Sequence, residues 1–195
     1  MSEIYIPTLQ DFIALGSNTN FARTDKFVVN FIKPTGMVDY QQAQVPFILS
    51  MVCEEASFPG KTISTRELRI NALTETRAQA IDYGGTIAFT FLTDYAFTAR
   101  NFFDTWQSLC IDDTTRQVSF YDDYVSTISI ASLHPLQNLP NNLDSYPVWA
   151  MEIHEAWPVK VDAQQVSYST QQFLRLNVEF AFKYWTRDKQ ITLRK

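Results

Sequence analysis

Glycine is scarce in this chain, five among 195 residues, and the five form no phosphate-cradling or dinucleotide-binding run. Basic charge is short as well. Sixteen Lys and Arg against 21 Asp and Glu leave a net charge of -5 and a pI near 5.0, which argues against a surface that grips nucleic acid through its phosphates. Cysteine occurs twice. Cys53 and Cys110 lie far apart in apolar contexts and read as two reduced, buried thiols, with a disulfide or metal pair as the alternative. No apolar run approaches the roughly 20 residues of a membrane span, so no membrane insertion is expected. Met1-Ser2-Glu3-Ile4 lacks the basic start and apolar core of a signal peptide, and synthesis in a reducing cytoplasm follows as the expectation.

Catalytic groups are thin too. There are two histidines, His134 in a Pro-rich loop and His154 on a strand. Glu152 and His154 point the same way, but a zinc site usually wants a third protein ligand that the sequence does not offer. Asp112-Asp113 and Asp122-Asp123 fit turns better than a convergent acid pair. No nucleophile elbow appears. The chain reads as a non-enzyme with no catalytic, cofactor or metal site.

What is present is aromatic and alternating. Hydrophobic residues make up 46% of the chain, with 15 Phe, 9 Tyr and 4 Trp, enough for a substantial core. From Phe173 to Tyr184, Leu174, Leu176, Val178, Phe180, Phe182 and Tyr184 share one side, opposite Arg175, Asn177, Glu179 and Lys183. That period of two predicts one long antiparallel strand with a packed face and a wet face. Val148 to Trp157 alternates likewise, and Pro158 opens a polar excursion to Gln172.

The rest is read in the same way. Pro7 to Gly16 predicts a short N-terminal helix capped by Thr8. Strands are predicted over Lys26–Ile32, Phe47–Glu54, Thr86–Thr93, Val118–Tyr121 and Tyr124–Leu133, with Phe58-Pro59-Gly60 as a sharp break. Lys61 to Asp82 is charged and poorly patterned, which suits a hairpin or arm standing away from the core. Asp94 can cap a helix over about 95–109, with Phe102, Phe103, Trp106 and Leu109 clustered at helical spacing. His134 to Pro147 is a long loop. The sum is a mainly β, antiparallel domain over 1–195: about seven strands, one flanking helix and a short N-terminal one. Its long amphipathic strands and charged arm leave more edge than one domain needs, and closure into a ring would remove it.

The order of landmarks resembles the tail tube proteins of contractile-tailed bacteriophages. Asn20-Phe21-Ala22-Arg23 precedes the first strand, and Ser57-Phe58-Pro59-Gly60 follows the second. Asp94 with Ala99-Arg100, Phe103 and Trp106-Gln107-Ser108 is similar to that family's helix, and Trp157-Pro158 with Tyr184-Trp185 to its C-terminal hairpin. The resemblance runs from about residue 18 to 185.

It implies a two-sheet β-sandwich or partial barrel with a flanking helix. It also implies assembly into homo-hexameric rings stacked as a tube inside a contractile sheath, in the virion tail. Sheath, baseplate and tail terminator proteins would be partners, with the tape measure protein and, transiently, DNA in the lumen. The 134–147 loop and both termini are longer than the simplest members need, and the extended termini suit a baseplate tube-initiator ring as the alternative. The inner tube of a bacterial contractile injection or secretion machine is another, and an unrelated β-sandwich binding module is the third.

On this reading Arg66, Glu67, Arg69, Glu75 and Arg77 of the arm are expected at a subunit interface. Glu152, Arg175, Asn177 and Glu179 are expected to face the lumen, whose wall should be neutral or negative so that DNA passes without sticking. The apolar face from Leu176 to Phe182 should pack against the helix carrying Phe102 and Trp106.

Overall fold

Alternating sequence becomes sheet: nine strands, every pairing antiparallel, and three helices make up the residues that the computed structural model describes, which are 22–38, 44–70, 73–133, 147–169 and 172–188. The strands are β1 (Phe27–Phe31), β2 (Cys53–Ala56), β3 (Thr62–Ile70), β4 (Leu73–Asp82), β5 (Thr86–Leu92), β6 (Ser126–Leu133), β7 (Pro147–Val161), β8 (Arg175–Ala181) and β9 (Tyr184–Asp188). The helices are α1 (Val45–Val52), α2 (Thr98–Cys110) and α3 (Tyr121–Tyr124). Seven strands form one sheet in the order β1-β6-β7-β8-β5-β2, with β9 also on β7, while β3 and β4 form a separate two-stranded sheet. The expected mainly β, antiparallel architecture with a flanking helix is what the chain adopts.

β7 turns the large sheet into two layers. Its first part pairs with β6 and β9, and Trp157 to Val161 pair with β8. The corner lies at Glu155, whose φ of 55° is left-handed. The strand that follows β8 changes layer beside it: Lys183 N–H donates to the His154 carbonyl at 3.2 Å, and Lys183 Nζ meets Glu155 Oε1 at 2.8 Å. Across the layers, Phe31 of β1 lies 5.4 Å from Phe89, 5.6 Å from Phe91 and 6.0 Å from Phe180, ring centre to ring centre. Ile128, Ile130, Met151 and Ile153 line one inner face, and Ile87, Leu176 and Val178 the other, all buried.

Helix α2 covers this core. Its Ala99, Phe102, Phe103, Trp106 and Cys110 are buried at helical spacing. Phe180 receives Phe103 at 5.7 Å and Trp106 at 5.8 Å, the packing of β8 on the helix that the alternation predicts. Asp94 does hold the helix start, accepting from Thr98 N–H at 2.7 Å and Thr98 Oγ1 at 2.6 Å. The helix begins later than expected because Phe97 adopts a left-handed conformation, φ 53°. Trp106 Nε1 donates to the Tyr124 carbonyl at 2.7 Å, which ties α3 to α2.

Four expectations are corrected. Phe47–Glu54 is α1 followed by β2 rather than one strand: Pro46 suits a first helical turn, and Val45 and Leu49 are buried one turn apart. Val118 makes only a single bridge, to Ile111, and Tyr121 opens α3, where Asp122 and Asp123 suit a helix start. The strand predicted to run to Tyr184 stops at Ala181, because β9 must cross to the other layer. Pro158 does not end β7, which continues to Val161, because Pro158 sits at a bulge before Lys160 where no ladder N–H is required. The predicted N-terminal helix, and the loop up to Tyr146, lie outside the described residues.

Candidate assembly surfaces

The charged segment forms the expected hairpin. β3 and β4 pair from Thr62↔Asp82 to Ile70↔Leu73, and among their described side chains all but Leu68 are exposed. Alternation then splits the predicted interface residues between two faces. Arg66, Glu75 and Arg77 share one face; Glu67 and Arg69 take the other. Arg77 Nη2 lies 3.0 Å from Glu75 Oε2, but Arg66 stands directly opposite Arg77, a like-charge pairing that weakens an isolated ribbon. Nearer the root, Ile63 and Ile81 face each other with 53% and 54% of their surface exposed. A lone two-stranded ribbon is marginal in water.

The second surface is the outer face of the β2-β5-β8 layer. Arg175 and Asn177 are exposed and Glu179 half-buried, while Leu176, Val178 and Phe180 between them are buried. Thr90 Oγ1 lies 3.0 Å from Asn177 Oδ1 and 3.3 Å from Glu55 Oε2. Arg175 makes a two-point ion pair with Glu54, at 2.5 and 2.8 Å. Lys160 pairs with Asp162 at 2.8 Å and lies opposite Glu179 in the ladder. Among the described residues the face thus sets Glu54, Glu55, Asp162 and Glu179 against Arg175 and Lys160, and the Arg100 guanidinium donates to the Asp162 carbonyl at 3.1 Å. Arg175 holds the Glu54 carboxyl below its usual range, first by hydrogen bond and then by charge; Lys160 does the same for Asp162. Sequence reading missed Glu54, Thr90, Lys160 and Asp162 because pairing across strands, not local spacing, brings them here.

Glu152 is not part of this group. It lies on the outer face of the other layer, between Ser129 of β6 and Thr186 of β9. His154 Nε2 sits 4.0 Å from the Glu152 carboxylate and 2.7 Å from Thr186 Oγ1. Among the described residues no three His, Cys, Asp or Glu side chains group to hold a metal. Both cysteines are free thiols, Cys110 buried and Cys53 partly so, and burial pushes them up to about 11 and about 12 respectively.

A third surface belongs to α1. Val45 and Leu49 face the core, while Phe47 and Met51, one turn apart, are 69% and 72% exposed.

No curated protein matches the chain in sequence. Solved structures share its fold. A chain of the anti-feeding prophage baseplate, six-fold symmetrised, aligns with a TM-score of 0.60 at 16% identity, covering 87% of this chain and 96% of that one. A chain of the sheath-tube complex of the extracellular contractile injection system PVC, in its extended state, gives 0.55 at 11% identity, covering 93% and 99%. One from the sheath/tube terminator of that system gives 0.56 at 10% identity, covering 87% and 98%. At such identities the likeness is one of fold. The family model described as phage tail tube protein matches residues 22–188, which takes in the hairpin, both layers and α2, and the chain belongs to the phage tail tube protein family.

Proposed function

We propose that this chain is the structural subunit of a bacteriophage tail tube. Each copy folds as one tail-tube domain, six copies close into a ring, and stacked rings enclose the channel through which DNA leaves inside a contractile sheath. The observation that carries this is the β3–β4 hairpin: in a tail tube family member, an exposed ribbon that opposes Arg66 to Arg77 is marginal alone and gains stability when another subunit covers it. Arg66, Glu67, Arg69, Glu75 and Arg77 are its contact residues. Because they divide between two faces, the ribbon inserts between neighbours rather than lying flat on one.

The polar face bearing Arg175, Asn177 and Glu179 is assigned to the channel wall. Its excess of carboxylates keeps a passing duplex from docking through counterion release. Glu152 belongs to the opposite outer face and so to the side turned away from the channel. The sheath outside, baseplate and terminator proteins at the ends, and the tape measure protein within are the partners of such a tube. The subunit is made in the host cytoplasm, carries no catalytic role and binds no cofactor.

Purified protein at rising concentration, followed by size exclusion and negative-stain imaging, tests the proposal. Rings and tubes are expected. Rings that never stack favour the baseplate initiator reading instead, and a strictly monomeric protein at physiological salt overturns both.

A further inference from the structure

The hairpin leaves and rejoins the core through two short segments, and tryptophans of the β7–β9 layer touch both. Trp185, half-buried and opposite Ile153 in the β7–β9 ladder, donates its Nε1–H to the Gly60 carbonyl at 3.1 Å. The Lys61 ammonium lies 5.4 Å from the centre of the same ring. Tyr83, on the returning leg, meets that ring edge-on at 6.0 Å. One side chain therefore holds both legs. Trp149, two alternations before Ile153 on β7, takes Phe58 edge-on at 5.0 Å and pins the outgoing segment a second time. The return turn is tight, with Gly84 and Gly85 at φ 76° and 71°, and Gly84 N–H donates to Asp82 Oδ1 at 2.9 Å.

We propose that Trp185, backed by Trp149, is the positioning residue that aims the β3–β4 hairpin at a neighbouring copy of this chain. The inference rests on the stacked-ring reading above. Nothing within a two-stranded ribbon sets its direction, since among the described residues β3 and β4 pair only with each other. Nine residues of strand span about 30 Å, so a swing of about 10° at the root carries the tip about 5 Å, a full strand spacing. Contacts at the tip then depend on the root being held. The Trp185 ring does this with three different interactions, a hydrogen bond to backbone, a cation–π contact and an aromatic edge, each aimed at a different atom group of the two legs.

Trp185→Phe keeps a ring for Lys61 and Tyr83 but loses the N–H; Trp185→Leu keeps apolar bulk and loses all three interactions. Full-length variants are compared for amide exchange and for tube length by negative stain. The expected result for Trp185→Leu is about tenfold faster exchange at residues 60–63 and 81–85, unchanged exchange in β5 and β8, and rings that stack poorly. Trp185→Phe should fall between it and the parent. Exchange that rises equally in β5 and β8 assigns Trp185 to core stability and overturns the aiming role. Tubes of parental length from Trp185→Leu also overturn it, and leave the tube reading intact. Parent protein that forms no rings overturns the tube reading, and the aiming role with it.

Discussion

Arg175 reaches across β5 to Glu54, the extra residue of the bulge in β2, and binds its carboxylate through Nε at 2.5 Å and Nη2 at 2.8 Å. The two residues lie 121 positions apart, and the pair clips the edge strand β2 to the polar face through side chains as well as ladder hydrogen bonds. Glu155 and Lys183 make a comparable pair at the corner where β7 changes layer.

Acid should weaken both clips. The folded carboxyls of Glu54 and Glu155 are held below the usual value of 4.5, each chiefly by a hydrogen bond from its cationic partner. A depressed folded pKa means the stabilisation is present above the unfolded value and is lost as pH falls through the folded one. Urea midpoints of the parent and of Arg175→Met should therefore differ by a small, constant amount near neutral pH. The difference should close below about pH 4. A gap that widens on acidification contradicts the assignment.

Trp106→Phe should destabilise the domain by about 2–3 kcal/mol. The substitution leaves a void in a fully buried site and strips the Tyr124 carbonyl of its donor. Denaturant unfolding measures it, and a loss under about 0.5 kcal/mol would mean that water replaces the indole N–H.

Gly36→Ala should cost about 1–3 kcal/mol. A Cβ there would lie 2.9 Å from the Asp123 carbonyl oxygen and 3.2 Å from Leu109 Cδ1, and Gly36 N–H already donates to that carbonyl at 2.8 Å. The clash pushes α3 from α2, so near-ultraviolet circular dichroism of Trp106 should change along with the unfolding midpoint.

Removing Thr65 to Thr76 should leave a folded domain, because the described side chains of that part of the hairpin, Leu68 aside, are exposed and β3 and β4 form a sheet of their own. Rings should still form but no longer stack. Parental tubes from the deletion would remove Arg66, Glu67, Arg69 and Glu75 from the interface.

Phe47→Asp with Met51→Asp should alter assembly and not folding. Both side chains are exposed, so stability should move by no more than about 0.5 kcal/mol. An apolar pair on a helix that a neighbour covers should slow tube growth when charged, read by light scattering. Unchanged growth places α1 on a free surface.

Much of the architecture was legible in the chain. Alternation in Leu176, Val178 and Phe180 dictates which face of β8 is buried, because successive strand residues point to opposite sides whatever the surroundings. The spacing of Phe102, Phe103 and Trp106 dictates the packed side of α2 for the corresponding helical reason. The hairpin was legible through its lack of an apolar face. By contrast, the run through α1 is apolar enough to satisfy either period, and Pro46 together with packing beside β1, α2 and β5 selects helix.

Local pattern determined most of the strands, the principal helix and their inward faces, because propensity and periodicity act over a few residues at a time. Which strands become neighbours was decided only in three dimensions. The corner at Glu155, the break before Lys183, the grouping of Glu54 with Arg175 and the separation of Glu152 from Glu179 all follow from it. No local signal encodes those choices. They depend on two layers closing over one aromatic core, where Phe31 meets Phe89 and Phe180, and on which segments that closure brings side by side.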